Sequence, residues 1–197
     1  VGKSTQLQRL AKWMNDHDWP AVVWKELGGI EATDILRPLI LDPMFQLSGV
    51  AQTLLIASAR RITYEKFLPQ LDNGQSILLD RGTTSALVYQ HYAQGVDREL
   101  VDMCCRHATC GRMPDLEIVL DCDPQLALVR RLSRNAAAGQ VADRFEEADP
   151  RFHAVLRAAF LKVAQERNLP VLDASRGSDE VFADLIRLVR ERTAIPD

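Results

Sequence analysis

Four short apolar runs alternate with longer amphipathic segments, and this alternation is the feature that most limits how the chain can fold. The runs lie at residues 21–24, 76–81, 116–121 and 171–173. Between them, apolar residues recur three and four positions apart, which is the period of a helix that buries one face. Short strands separated by such helices are typical of a parallel sheet with helices on both faces. The sequence therefore predicts an α/β fold.

The predicted helices cover most of the remaining chain. They lie at residues 5–18, 32–41, 47–71, 83–92, 96–107, 124–134, 150–167 and 178–192. The longest of them ends at Asn73-Gly74, a pair that suits a helix C-cap. A chain of 197 residues, of which 47% are hydrophobic, can bury a substantial core. We expect a single domain over residues 1–197, with no linker and no internal repeat.

Charge and composition set aside several classes of partner. A formal net charge of −3 provides no general attraction to nucleic acid or to an anionic membrane. No apolar run approaches the length of a transmembrane helix. The four cysteines have neither metal-ligand nor disulfide-framework spacing, which favours reduced thiols. The sequence therefore predicts a cytoplasmic protein that binds neither nucleic acid nor membrane.

The first residues, Gly2-Lys3-Ser4-Thr5, match the second half of the phosphate-binding pattern G-x-x-x-x-G-K-[ST]. In that pattern the glycine admits phosphate close to the backbone, the lysine reaches the β- and γ-phosphates, and the serine hydroxyl binds Mg²⁺. The first glycine of the pattern and the strand before it do not precede Val1, so we expect a chain truncated inside the loop. By itself this short motif leaves a solvated helix start as the alternative.

Polar residues follow the predicted strands, where ligands bind in a parallel sheet. They are Glu26 and Gly28 after one strand, Asp80 and Arg81 after the next, and Asp121 and Asp123 after a third. An aspartate at such a strand end can hold Mg²⁺ through water, and a neighbouring arginine can clamp a phosphoryl group. A structural salt bridge between Asp80 and Arg81 is the alternative. The lysine motif and the strand-end residues together favour phosphoryl transfer.

Several arginines suit the same chemistry. Arg60 interrupts an apolar helix face, so we expect a buried partner or a ligand for it. Arg130 and Arg134 precede a small, polar segment that ends near Arg144, and a lid over residues 134–149 would let these cations close on a transferring phosphoryl group. A solvated helix end is the alternative for this cluster. Phosphoryl transfer needs no protein nucleophile, because it depends on positioning and charge neutralisation.

These motifs together resemble those of the thymidylate kinases, P-loop kinases that move the γ-phosphate of ATP to dTMP. The resemblance runs in order along essentially the whole chain. On the N-terminal side it rests on Gly2-Lys3-Ser4-Thr5-Gln6, on Lys25-Glu26-Leu27-Gly28-Gly29 with Arg37, on Leu54 to Arg60, and on Asp80-Arg81 with Ser85, Tyr89 and Gln90. Further on it rests on Pro114 to Asp121, on Pro124, Ala127, Leu128, Arg130 and Arg134, and on Asp143-Arg144-Phe145-Glu146.

The resemblance implies a three-layer P-loop NTPase fold with a short lid, and ATP and Mg²⁺ as cofactors. The ATP-binding residues would be Gly2, Lys3, Ser4, Thr5 and Arg130. Ser4 and Asp80 would serve the metal. The catalytic set would be Lys3, Asp80, Arg81, Arg134 and Arg144. The reaction would produce dTDP for dTTP synthesis.

On the acceptor side, the resemblance assigns Arg37 and Arg81 to the dTMP phosphate, Arg60 and Gln90 to the base or its surroundings, and Tyr89 to the deoxyribose. Glu26, Ile56 and Ser85 complete the implied substrate-binding set. The long helix, residues 47–71, would form a homodimer interface, as it does in the family.

The chain departs from the family pattern on the acceptor side. The departures are Lys25 and Leu27 in the double-glycine segment, Ile56 where an aromatic commonly stacks on thymine, Gly82 after Asp80-Arg81, and the changed segment 91–95. An aliphatic Ile56 can cover a base but gives no ring stacking. The acceptor base is therefore open, and a kinase for another deoxynucleoside monophosphate is an alternative. A catalytically silent nucleotide-binding or dimerisation module is the alternative of another class.

Overall fold

The structure, a computed structural model, describes residues 1–138 and 149–193, with the backbone alone at 134–138 and 150. The chain forms two compact units: a terminal unit, Val1–Gln6 with Pro114–Asp197, and a central unit, Leu7–Met113. The elements in chain order are α1 Lys3–Asp16, β1 Ala21–Lys25, α2 Glu31–Leu41, α3 Gly49–Asp72, β2 Ser76–Asp80, α4 Thr83–Ala86, a π-helix Leu87–Ala93, α5 Arg98–Ala108, β3 Val119–Asp121, α6 Pro124–Ala138, α7 Pro150–Glu166, β4 Val171–Asp173 and α8 Ser178–Arg192.

The central unit is built on two parallel strands and the long helix α3. Strands β1 and β2 pair in register from Ala21 opposite Ser76 to Lys25 opposite Asp80. Helix α3 packs against both α2 and α5. The carboxyl ends of the two strands therefore lie side by side, and the residues that follow them start from one edge.

Helix α3 has clear local start and stop signals. The Ser48 hydroxyl caps its first turn by accepting a hydrogen bond from the Ala51 amide at 3.2 Å. At the other end, Gly74 takes the left-handed conformation and donates its amide to the Leu71 carbonyl at 2.9 Å. The predicted helix and its C-cap at Asn73-Gly74 are confirmed.

The predicted helix at 83–92 differs from the observed one in type. Only Thr83–Ala86 is α-helical, and a π-helix follows at Leu87–Ala93. Leu87, Val88 and Gln90 are all buried in the π-helix. The Gln90 side chain therefore lies in the interior of the central unit.

The terminal unit holds the second parallel pair, in which Val119 lies opposite Val171 and Asp121 opposite Asp173. Helix α7 packs on β3, α8 on β4, and α6 on α7. Strand β3 is shorter than the predicted run 116–121. The partner strand is preceded by Pro170, which has no amide hydrogen to donate, so the ladder stops there.

Parallel strands alternate with helices in both units, which confirms the predicted α/β class. Within the part of the chain that the structure describes, no helix combines the length and apolar character needed to cross a membrane.

Candidate active site

The start of α1 has the geometry of an anion-binding helix terminus. Gly2 takes a φ of +84°, in the left-handed region that glycine tolerates, and α1 begins at Lys3. The amides of the first helical turn have no carbonyl partner within the helix, and the helix dipole makes this end positive. Ser4 and Thr5 are exposed there. These residues fit a phosphate and, through the Ser4 hydroxyl, a phosphate-bound cation.

Gln6 ties this turn to the beginning of α8 within the terminal unit. Its side chain is buried, and its amide nitrogen donates to the carbonyl oxygen of Ser178 at 2.9 Å and to the Ser178 hydroxyl at 3.2 Å. This long-range tie fixes the direction in which the first turn of α1 points.

Arg130, on α6, bonds to the loop that follows β4. One terminal nitrogen donates to the Ala174 carbonyl, and the other to the carbonyls of Ser175 at 2.9 Å and Arg176 at 3.2 Å. The Arg130 guanidinium therefore holds the loop by donating to three successive backbone carbonyls. Its predicted role at the nucleotide stays a prediction.

Much of the predicted lid at 134–149 falls outside the description. Arg134 lies in α6, where the backbone alone is described, and Arg144 lies outside the described residues. Asp149 accepts a hydrogen bond from the Arg151 amide at 2.6 Å and so caps α7.

The double glycine after β1 forms a loop held by α2. Gly28 and Gly29 have φ values of +114° and +86°. The Gly28 amide donates to the Thr33 hydroxyl at 3.3 Å, and the Gly29 amide to the Asp34 carboxylate at 3.0 Å. Arg37, exposed on α2, donates to the Leu27 carbonyl at 2.9 Å. These hydrogen bonds hold the loop against α2, and Arg37 keeps further N–H donors for a phosphate.

Arg60 is the most deeply buried charge described in the central unit, at 1% exposure. Its Nε donates to the Glu26 carboxylate, its Nη1 to the Cys105 sulfur at 3.1 Å, and its Nη2 to the Gly82 carbonyl at 3.3 Å. Desolvation lowers the pKa of Arg60, but the Glu26 and Cys105 interactions outweigh it and leave that pKa raised. The expectation of a buried partner for Arg60 is confirmed.

These three bonds leave donors for a ligand. A guanidinium has five N–H groups. With the described residues, Arg60 uses three of them. The other two, one on each terminal nitrogen, are buried and suited to a ligand that presents acceptors. Losing one member of such a buried ion pair typically costs about 3–5 kcal/mol.

Arg81 follows β2 in a conformation that is unusual for any residue but glycine. Its φ is +77°, its side chain is exposed, and its guanidinium lies 5.2 Å from the centre of the Tyr89 ring. Desolvation lowers the pKa of Arg81, but Tyr89, then Asp80 and Glu26, outweigh it and leave that pKa raised. Non-glycine residues held in this region concentrate at functional sites.

Gln90 carries a buried amide with an unmet donor. The residue is 1% exposed, and its Nε2 has no hydrogen-bond partner among the described residues. An unsatisfied buried donor costs about 1–3 kcal/mol, which a ligand acceptor would recover. Ile56 is also buried, while Ser85 and Tyr89 are half-buried.

The two units divide the predicted residues between them. The predicted acceptor residues all belong to the central unit: Glu26, Arg37, Ile56, Arg60, Arg81, Ser85, Tyr89 and Gln90. The predicted ATP residues all belong to the terminal unit: Gly2, Lys3, Ser4, Thr5 and Arg130. Asp80 lies with the acceptor residues.

The donors expected for a magnesium site are one hydroxyl and one carboxylate. Among the described residues, no group of three or more His, Cys, Asp or Glu side chains is arranged to hold a metal ion. Mg²⁺ commonly takes one or two carboxylates together with waters and substrate phosphates. Ser4 supplies a hydroxyl oxygen in the terminal unit, and Asp80 supplies a carboxylate in the central unit. Their predicted role at a metal ion stays a prediction.

Sequence reasoning missed Cys105 as a neighbour of Arg60. On α5, Val101, Cys105 and Ala108 recur at helical spacing and are all buried, so the periodicity could have placed the thiol inside. Nothing in the spacing of the chain could have paired it with Arg60.

Known proteins resemble this chain along nearly its full length. A family model described as thymidylate kinase matches residues 1–185. A curated thymidylate kinase from Symbiobacterium thermophilum is 35% identical over 194 residues, covering 96% of this chain and 88% of that protein. Another from Dinoroseobacter shibae is 39% identical over 189 residues, covering 94% and 89%.

A solved structure shares the fold. The crystal structure of a thymidylate kinase from Ehrlichia chaffeensis superposes with a TM-score of 0.73 at 21% identity, covering 96% of this chain and 92% of that one. The likeness confirms the P-loop type of α/β fold that the motifs predict.

Proposed function

Because the chain belongs to the thymidylate kinase family, we propose that it transfers the γ-phosphate of ATP to dTMP, producing dTDP and ADP in the supply of dTTP. Nucleoside-monophosphate kinases of this kind carry out a direct transfer between phosphates. The protein therefore has to position two nucleotides and neutralise charge, and it needs no nucleophile of its own.

The observation that carries the proposal is the set of buried donors in the central unit. Gln90 has an amide nitrogen without a described partner, and Arg60 keeps two N–H groups beyond its three bonds. Thymine offers carbonyl oxygens as acceptors for such donors. A buried donor of this kind is costly without a ligand, which supports a base-binding role for these side chains.

Charged residues in both units suit the phosphate chemistry. Arg37 and Arg81 would bind the phosphate of dTMP, since a guanidinium can hold two phosphate oxygens at once. Lys3, with Arg134 and Arg144, would neutralise charge on the transferring group, while the amides of the first α1 turn and Arg130 would hold ATP. Mg²⁺ would offset the charge of the β- and γ-phosphates, and the metal residues that the family resemblance implies are Ser4 and Asp80.

A kinase for another deoxynucleoside monophosphate is the second candidate. Ile56 is 8% exposed and lies on the buried face of α3, where it offers an aliphatic surface without ring stacking. Gly82 supplies only a backbone carbonyl, which Arg60 already uses. These features leave room for a base other than thymine.

We also propose a homodimer through the face of α3 that carries Val50 and Leu54. These apolar side chains are 46% and 51% exposed and lie one helical turn apart. A second copy of the chain would cover them. We further propose that the protein carries out this activity in the cytoplasm.

Steady-state kinetics with ATP and Mg²⁺ test the function. We expect dTMP to give the highest kcat/KM among dTMP, dUMP, dCMP and dGMP. Equal or better turnover of the purine acceptor would exclude the thymidylate assignment. Nucleotide binding without any turnover would instead favour the silent binding module.

A substitution at Gln90 sharpens this test. Gln90→Leu removes the buried amide but keeps the volume, so kcat/KM for dTMP should fall by about tenfold or more. Gln8→Leu, at an exposed position on α1, is the matched control and should leave kcat/KM unchanged.

A further inference from the structure

We propose that Cys105 is a positioning residue that sets the orientation of the Arg60 guanidinium and thereby helps the site choose its base. The proposal rests on the proposed function, because it assigns Arg60 to the acceptor base. No role for Cys105 follows from the motifs that mark the active site. It follows from the contact between two buried side chains on different helices.

Cys105 projects from α5 into the interior of the central unit. It is 6% exposed, and its sulfur accepts a hydrogen bond from Nη1 of Arg60 at 3.1 Å. Its neighbour Cys104 is only half-buried. Cys104 is therefore a suitable control for Cys105. The two thiols are adjacent on α5, but only the Cys105 thiol is described in contact with Arg60.

The three bonds to Arg60 engage three different nitrogens. Glu26 takes Nε, Cys105 takes Nη1, and the Gly82 carbonyl takes Nη2. A planar group held at all three nitrogens cannot turn, so the directions of its two remaining N–H groups are set. Without the sulfur, the Nη1 side of the plane would lose its anchor.

The thiol is suited to this passive role. Burial raises the pKa of Cys105, Arg60 lowers it, and the net direction is upward, with Glu26 adding to the rise. The sulfur therefore stays protonated at neutral pH, and a buried protonated thiol is a poor nucleophile. Its contribution is an acceptor lone pair and a shape that fits beside the guanidinium.

The fixed N–H groups favour one chemical class of base. They attract a carbonyl oxygen and repel an amino group at the same place. A base with a carbonyl at its reading edge, such as thymine or uracil, therefore fits better than cytosine, which has an amino group there. Cys105 would support this preference by keeping the two remaining N–H groups of Arg60 directed at the carbonyl oxygen of the base.

Three variants test the proposal kinetically. Cys105→Ala removes the acceptor, and we expect KM for dTMP to rise by about five- to tenfold, with KM for ATP within about twofold of the original. The preference for dTMP over dCMP in kcat/KM should fall by a similar factor. Cys105→Ser keeps an acceptor and should restore most of both losses, and Cys104→Ala should change neither.

Several results would overturn the assignment. A parallel loss in both KM values, an unchanged preference between dTMP and dCMP, or an equal effect of Cys104→Ala would each reduce Cys105 to a packing residue. Failure of the serine variant to recover what the alanine variant loses would do the same. Thermal unfolding of each variant separates these results from a loss of fold.

A measurement without nucleotide separates this inference from the proposed function. NMR of nitrogen-labelled arginine side chains should show restricted rotation of the Arg60 guanidinium in the original chain and in Cys105→Ser, but averaged terminal nitrogens in Cys105→Ala. Restricted rotation in a chain that does not phosphorylate dTMP would reject the function and keep the positioning role. Equal rotation in all three proteins would reject the positioning role itself.

Discussion

Arg81 has a backbone conformation that lowers the stability of the fold. Its φ of +77° places an L-residue in the left-handed region, at a cost of about 1–2 kcal/mol. Its guanidinium lies 5.2 Å from the centre of the Tyr89 ring, an arrangement that returns about 0.5–1 kcal/mol at an exposed site. The contact with Tyr89 therefore offsets only part of the backbone cost, which is consistent with a functional role for Arg81.

Two substitutions at Arg81 should separate strain from chemistry. Both Arg81→Gly and Arg81→Ala should lose most phosphoryl transfer, because neither can bind the acceptor phosphate. The glycine variant should nevertheless be more stable than the alanine variant by about 1 kcal/mol, since glycine adopts a positive φ without strain. Urea unfolding monitored by circular dichroism measures the difference in the free energy of unfolding.

A second residue in the same conformation serves as the control. Asn168 has a φ of 52°, follows α7, and is not one of the residues proposed for binding or catalysis. Asn168→Gly should likewise be more stable than Asn168→Ala, with kinase activity retained in both. An alanine variant at Arg81 as stable as the glycine variant would show that the backbone there is not strained.

The sequence predicted the burial of Arg60 but could not identify its partners. An arginine that directly follows the largely apolar helical run at residues 54–59 implies a buried acceptor. The acceptors lie 34 residues before it, at Glu26, and 45 residues after it, at Cys105. Only the tertiary fold brings these segments together, because helical spacing reports on neighbours three or four positions away.

At the scale of elements, the first turn of α3 meets the end of the π-helix at very short range. A Cβ atom at Gly49 would lie 2.7 Å from a methyl group of Val96 and 3.0 Å from the side-chain oxygen of Gln94. The Gln94 amide also donates to the Gln52 side chain at 3.0 Å. Glycine is therefore needed here for space, since it is the residue that admits the chain after the π-helix.

Gly49→Ala should destabilise the chain despite the better helix propensity of alanine. Propensity alone favours alanine by about 1 kcal/mol in a helix interior. Overpacking typically costs about 1–3 kcal/mol, and the Val96 methyl, held at 5% residue exposure, has little room to retreat. The free energy of unfolding in urea should therefore fall by about 1–2 kcal/mol.

The double variant Gly49→Ala with Val96→Ala tests this mechanism. Removing the Val96 methyl groups should recover part of the loss, so the two changes should be non-additive. Stabilisation by Gly49→Ala alone would mean that the first turn of α3 is open, contrary to the contact described.

Hydrophobic periodicity predicted where the helices and strands lie better than it predicted the type of helix or the length of a strand. Helix α3 was predicted over residues 47–71 and is found at Gly49–Asp72 because its apolar face is long and its ends are marked. The π-helix was missed, since over seven residues its period is hardly distinguishable from that of an α-helix. Strand β3 was predicted too long. The ladder stops at Pro170, which precedes the partner strand β4 and is distant from β3 in the sequence.

For the whole molecule, the prediction that matters is the number of chains. The exposed Val50 and Leu54 on α3 provide an apolar contact that a second copy would cover. The face continues through Ser58 to the ion pair of Arg61 and Glu65, which spans 2.6 Å. An apolar centre with a polar edge is the usual composition of such an interface.

Leu54→Lys should break this assembly. In sedimentation equilibrium the original chain should behave as twice 22.1 kDa, and the variant as 22.1 kDa, because the contact would have to bury a lysine charge where it buried an apolar side chain. Leu132→Lys is the control, since Leu132 is similarly exposed at 58% but lies on α6. A single-chain mass for the original protein at every concentration would contradict the homodimer.

The division into units was not predictable from the order of motifs. The sequence shows no linker and no internal repeat between residues 1 and 197, and the resemblance treats the chain as one domain. The first six residues nevertheless cluster with the segment after Met113, and α1 continues into the central unit. Which unit a segment belongs to depends on contacts between residues that are distant in sequence, such as the hydrogen bond between Gln6 and Ser178.

The buried pair of Glu26 and Arg60 also constrains how this lineage can evolve. Removing either charge alone costs about 3–5 kcal/mol, against a total stability of about 5–15 kcal/mol for a typical domain. Selection can therefore tolerate replacement of both partners together far more readily than loss of one. The departures from the family pattern lie around an intact pair: Lys25, Leu27, Ile56 and Gly82. A change in acceptor preference would thus accumulate through the neighbours of the pair, one substitution at a time, while the buried charges stay inherited together.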